Sequence, residues 1–317
     1  MSALPPLNRR SLLRAAALAA LAVPLAASTA CSGYDDSPDE LLPLWERAEA
    51  DAAAAKALAG SADGPAEVSA LAEQVAAARS AQASALKAEL DRLNKPRPDG
   101  GNTAPPRTAA DLAALRDRLS EAGEQAATLT RSVPAFRAGL TGSVAAGCAA
   151  LRQLSPELGA GQPGKLDPAS TGKLPSEALD ALQRALAAEH AAVWVYGLVS
   201  AFLPADFGRG IDAGAAAHRD RRDACERVLA ATGTAPVPAE TAYLAPEEVT
   251  DEASAVALVI TAEQDAAAAW HGVLERTDDA GLRTLACDSL IGSATRGTSW
   301  RMEAGRQPAA VALPGRE

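Results

Sequence analysis

Three stretches in the C-terminal half of the chain direct ionisable groups toward what reads as an apolar seam. Along the first, Leu179, Leu182, Leu186, Glu189, Val193 and Tyr196 recur at alternating steps of three and four residues, the core-facing stripe of a bundle helix. His218, Arg222, Cys225, Leu229 and Thr232 repeat the pattern in the second, and Val256, Ile260, Glu263, Ala267, Trp270 and Leu274 in the third. A fourth stretch offers Arg296 and Trp300 for the inner face. Converging carboxylates and an imidazole can ligate metal, or they can close on cations of the protein itself. A buried carboxylate needs counter-charge and hydrogen-bond donors, and the planar fork of Arg222 or Arg296 suits that task. The expectation is a buried polar network of Glu189, His218, Arg222, Glu263 and Arg296, with Tyr196 able to join it. The alternative is a solvated bundle edge. No catalytic residue, metal ligand or cofactor is assigned.

The elements that must position these groups are helices. Ala dominates while Val, Ile and aromatic residues are scarce, which favours helix over strand. Pro and Gly cut the chain into two similar blocks, with helices expected over 39–60, 65–94, 108–130 and 134–155, then 176–201, 212–232, 251–275 and 279–303. The longest connection in each block lies between its second and third helices, as in four-helix bundles with one long crossover. The organisation expected is an N-terminal helical domain over 39–158, a linker over 159–175, a four-helix bundle over 176–304 and a tail over 305–317. The first domain is either a bundle related to the second by tandem duplication or a long helical hairpin.

The run Ala187-Ala188-Glu189-His190-Ala191-Ala192-Val193-Trp194-Val195-Tyr196-Gly197, followed by Ala217-His218-Arg219-Asp220-Arg221-Arg222-Asp223, resembles an uncharacterised ferritin-like domain family of exported, often Ala-rich bacterial lipoproteins. The resemblance covers about 176–304. It implies an all-α, ferritin-like four-helix bundle and no particular activity. Active di-iron members of that fold use a Glu from each of two helices and Glu-x-x-His from each of the other two. Glu189 and Glu263 match the lone glutamates. The second helix carries His218 to Arg222 where Glu-x-x-His belongs, and the fourth carries Asp288-Ser289-Leu290-Ile291 and then Arg296, with no His. His190 and His271 do not follow a Glu by three residues. The resemblance therefore implies an incomplete di-iron ligand set.

The first thirty-one residues read as an export signal. Arg9, Arg10 and Arg14 precede an apolar run from Ala15 to Ala27, and Ser28-Thr29-Ala30 precedes Cys31. Asn8 to Arg14 resembles the twin-arginine pattern, with Asn8 and Leu12 as departures; an ordinary secretion signal is the alternative. Cys31, followed by a tether over 32–38, looks like a lipidation site, where two acyl chains would give stable attachment. Simple cleavage after Ala30, releasing a secreted protein, is the alternative.

Of the remaining cysteines, Cys148, Cys225 and Cys287, an odd number leaves at least one unpaired. The net charge of −10 and the lack of a basic patch argue against nucleic acid as a partner. The function expected is binding or scaffolding in the cell envelope. The partners would be the membrane, through the lipid anchor, and an unidentified envelope protein or small ligand. The rivals are a metal-dependent oxidoreductase and a carrier with its ligand between Trp194, Tyr196 and Trp270. Acidic residues of the first block read as a solvated face.

Overall fold

Eight α-helices account for most of the described residues, which are 37–61, 65–93, 111–160 and 173–316 of the computed structural model. Arg9, Arg10 and Cys31 lie outside them. The first block holds α1 (Leu42–Ala59), α2 (Ala66–Leu93), α3 (Leu112–Thr130) and α4 (Ala135–Arg152). The second holds α5 (Ser176–Val199), α6 (Gly208–Ala231), α7 (Glu252–Leu274) and α8 (Ala280–Glu303). No strand occurs among the described residues.

The helix starts have local causes. The Asp111 carboxylate accepts the Ala114 amide at 2.8 Å, and Asp279 accepts that of Leu282 at the same distance. Asp251 and Ser254 cap α7 reciprocally. Helices α4 and α5 begin directly after Pro134 and Pro175, which have no N–H to offer a preceding turn. Gly233, at φ 76°, supplies the left-handed residue just beyond α6.

Side-chain contacts fix the helix directions. Glu189 meets His218, and the ring of Tyr196 lies over Gly214, so α5 and α6 are antiparallel. Glu189 also meets Trp270 while Tyr196 meets Glu263, which makes α5 and α7 antiparallel too. Helices α6 and α7 thus run parallel, and the 232–251 connection must return along the bundle. Two antiparallel pairs joined by one long crossover result, the topology expected from the loop lengths. In the first block α1 likewise packs on α2 and α3, and α3 on α4. Arg47–Glu121 and Arg118–Asp51 show α1 and α3 to be antiparallel.

The two blocks share one apolar cluster, which runs from Leu44 on α1 through α4 to Leu290 on α8. Helix α4 packs on both α7 and α8, and its residues from Arg137 to Cys148 are all buried. Arg283 ties two turns together: its guanidinium donates to the carbonyls of Thr277 at 2.7 Å and Val133 at 2.6 Å. The segment after α8 then folds back into the junction. Gln82 donates to the carbonyl of Ala312 at 2.7 Å, and Ser143 to that of Pro314 at 2.8 Å. Gly147 permits this approach, since a Cβ there would stand 2.1 Å from the Ala312 oxygen.

Candidate functional site

A polar layer crosses the second bundle between two apolar clusters. On α5 the larger cluster ends at Leu186 and the smaller begins at Ala192, leaving Glu189 between them. His218 and Arg221 fall in the same gap on α6, Glu263 on α7, and Arg296 on α8. Each helix therefore contributes at one height, as the shared three-and-four spacing requires once the helices align.

His218 stands at the centre, fully buried. Its Nδ1 lies 2.5 Å from Glu189 Oε2 and its Nε2 3.1 Å from Glu263 Oε1. Both neighbours are acceptors, so both ring nitrogens must donate, and only the imidazolium satisfies them. Trp270 Nε1 donates to Glu189 Oε1 at 2.6 Å. Glu263 receives the Tyr196 hydroxyl at 2.7 Å and a two-pronged approach from Arg296, Nε to Oε1 at 2.7 Å and Nη2 to Oε2 at 3.2 Å. Trp300 Nε1 donates in turn to the Tyr196 oxygen at 3.0 Å, and its ring stacks on Phe207.

The structure brings Glu189, His218, Glu263 and Arg296 together and leaves Arg222 out. Arg222, expected on the inner stripe, is partly exposed and pairs with its neighbour Asp223 at 2.7 Å. Arg221 takes the inner position instead. It is 2% exposed, donates to Ser293 at 2.9 Å and lies 3.7 Å from Glu189. A step of three from His218 suits the inner face as well as a step of four, and only packing decides between them. Gly292 makes room, since a Cβ there would collide with the Arg221 guanidinium. Trp194 packs on Tyr243 at 5.6 Å, while Trp270 and Tyr196 turn their polar atoms to the two carboxylates. His190 faces the Val237 carbonyl at 3.3 Å, and His271 is buried beside Glu275. The three described cysteines are free and buried.

Charge follows from this geometry. Burial opposes ionisation of Glu189 and Glu263, yet the cations around them overcome it and hold both below the ordinary value of 4.5. His218 also resists charging by burial, and the pull of Glu263 and Glu189 raises it above 6.5. Arg221 is the exception: burial, reinforced by Arg296, lowers it to about 10. Three cations face two carboxylates, and Arg221 has the weakest claim on either.

A second buried network in the first block went unread in the sequence. Asp51, expected on a solvated face, is 1% exposed. Its Oδ2 accepts from Arg79 at 2.9 Å and its Oδ1 from Arg118 at 3.1 Å. Arg79 also binds Gln82, and lies 3.3 Å from Cys148 Sγ. The signal was available, because Leu44, Ala48, Asp51 and Ala55, like Val75, Arg79, Gln82 and Leu86, recur at steps of four, three and four.

Protonation predicts a stability optimum in weak acid. The carboxylates bind protons more weakly folded than unfolded, so their contribution is complete above about 4.5 and fades as pH falls through their folded values. His218 binds its proton more tightly folded; its contribution is complete below 6.5 and fades as pH rises through the folded value. Thermal denaturation should give the highest midpoint between those limits, with an alkaline decline. His218→Gln should lower stability by about 3 kcal/mol and remove that decline, because the carboxylates lose their central cation.

No curated protein matches the chain. A solved structure, of the conserved hypothetical protein Rv2844 from Mycobacterium tuberculosis, is 35% identical over 44% of this chain and 98% of that chain, with a TM-score of 0.41. The polar layer, helices α6 to α8 and all of α5 but its first turn fall within one match, which places residues 181–317 in a family described as a domain of unknown function (DUF4439).

Proposed function

We propose that the second bundle is a ferritin-like fold closed by internal charge pairing. On this reading the chain serves as a membrane-anchored, extracytoplasmic binding or scaffold protein of the cell envelope. One observation carries the first part: every carboxylate oxygen of the layer already accepts from a protein donor. Glu263 is held by Arg296, His218 and Tyr196, and Glu189 by His218 and Trp270. A di-metal centre needs bridging carboxylates and neutral histidines. Here the fourth helix offers a guanidinium in place of a carboxylate, and the one histidine of the layer has both nitrogens engaged. The donor set does not fit a metal pair. Among the described residues no three His, Cys, Asp or Glu side chains group as ligands.

The anchoring part is supported by the N-terminal pattern Arg9-Arg10 and Cys31. It is compatible with the helices described, none of which is long and apolar enough to cross a membrane. A bundle with a sealed centre recruits partners through its surface, which is why scaffolding is favoured over oxidoreductase chemistry.

Metal analysis by plasma mass spectrometry tests the closed centre. The natively exported protein and its Glu263→Ala variant should both carry only background iron and manganese. Near-stoichiometric metal in the first and its loss in the second would make the bundle an oxidoreductase candidate. For the anchor, cell fractionation should find the protein with membranes and its Cys31→Ala variant released. Equal release of both would leave simple secretion.

A further inference from the structure

Three sides of the second bundle are closed by helices packed directly on one another: α5 on α6, α5 on α7, and α7 on α8. The fourth side, between α8 and α6, lacks that close backbone packing. Side chains span it instead, where Arg221 Nη1 on α6 donates to Ser293 Oγ on α8 at 2.9 Å. Gly292 lies beside that contact. A Cβ there would stand 2.1 Å from Arg221 Nη2 and 3.4 Å from Arg296 Nη1, so both nitrogens lie against the same glycine.

The carboxylate acceptors of the polar layer are all used, but its donors are not. Arg296 commits Nε and Nη2 to Glu263, and its Nη1 donates to no acceptor among the described residues. Arg221 is 2% exposed, and apart from Nη1 its nitrogens have no acceptor among them either. Charge is unequal in the same sense. His218, Arg221 and Arg296 face only Glu189 and Glu263, which leaves one positive charge without a counter-ion. The two guanidiniums also repel each other, an effect that adds to burial in lowering Arg221. A buried cation so placed calls for negative charge and for acceptors. The side chain of Arg296 is 16% exposed, so the pair can be reached from solvent.

We propose that Arg221 and Arg296, at the open side between α6 and α8, bind one small monovalent anion of halide size. The anion accepts from Arg221 Nη2 and Arg296 Nη1 beside Gly292. Its single charge matches the single excess cation and brings the layer to neutrality. Arg221 fits only because position 292 has no side chain, and so tight a space favours a spherical ion over a carboxylate. The inference rests on the charge-paired reading of this layer, but its test uses no metal, so the two can fail separately.

Thermal denaturation of the full chain at pH 6 tests it, with sodium gluconate replaced stepwise by sodium chloride at constant ionic strength. The midpoint should rise by about 3 °C and saturate as for one site. In Arg221→Met, which keeps the stem and removes the charge, chloride should leave the midpoint where gluconate sets it. No response of the parent would overturn the proposal, as would an equal rise in Arg221→Met, which would mean a general salt effect. Crystals of the parent soaked in bromide give a reading that does not depend on the variant's folding. An anomalous peak in contact with both nitrogens beside Gly292 is expected, and its absence there would also overturn the proposal.

Discussion

A histidine clamped between two buried carboxylates sets the terms for the second bundle. With Glu189 on one ring nitrogen and Glu263 on the other, His218 must be an imidazolium. Burial opposes ionisation of both carboxylates, and Arg296 with His218 at Glu263, and His218 with Arg221 at Glu189, hold them ionised against it. Ionised carboxylates then require the remaining donors: Trp270 and Arg221 for Glu189, Tyr196 and Arg296 for Glu263. Removing His218 or Arg296 deprives a buried carboxylate of its nearest cation, at a cost of about 3–5 kcal/mol. The layer works as a unit because its members share oxygens. Its residual strain is an excess of positive charge, which falls on Arg221.

The first bundle uses the same kind of device with different residues. An acid on its first helix, Asp51, is buried against a base on its second, Arg79, much as Glu189 is against His218. Asp51 is pushed up by burial even though Arg79 and Arg118 pull it down, so its charge is less securely held. Gln82 extends the network to the carbonyl of Ala312, which couples the first bundle's interior to the returning C-terminal segment. Pairing within each bundle and the strap across them explain why one apolar cluster serves both blocks.

Helix positions were legible to within a few residues because Pro and Gly mark the breaks: α4 starts after Pro134 as its spacing suggests, whereas α3, expected from 108, starts at Leu112 after its Asp111 cap, and α6, expected from 212, starts at Gly208. Glu189 and Glu263 were legible because their spacing puts them on stripes otherwise apolar, and His218 because it opens the stripe that continues through Cys225 and Leu229; Arg296 was only a candidate on a fourth helix without a clear stripe. Arg222 was chosen over Arg221 since adjacent arginines differ by ~100° about a helix, and a single sequence does not reveal the few tens of degrees by which α6 is turned. Asp51 was missed for another reason: Ala-rich helices give a weak apolar contrast, so an acid on the inner face looks like one on the outer.

The charge of His218 is the point on which this account rests, and nuclear magnetic resonance reads it directly. The ring nitrogen shifts of His218, followed in labelled protein from pH 5 to pH 9 and assigned by comparison with His218→Gln, should be those of an imidazolium at pH 6.5, with the titration centred above it. Shifts of a neutral ring at pH 6.5 or below would mean that one nitrogen does not donate, and the charge-paired layer would have to be abandoned.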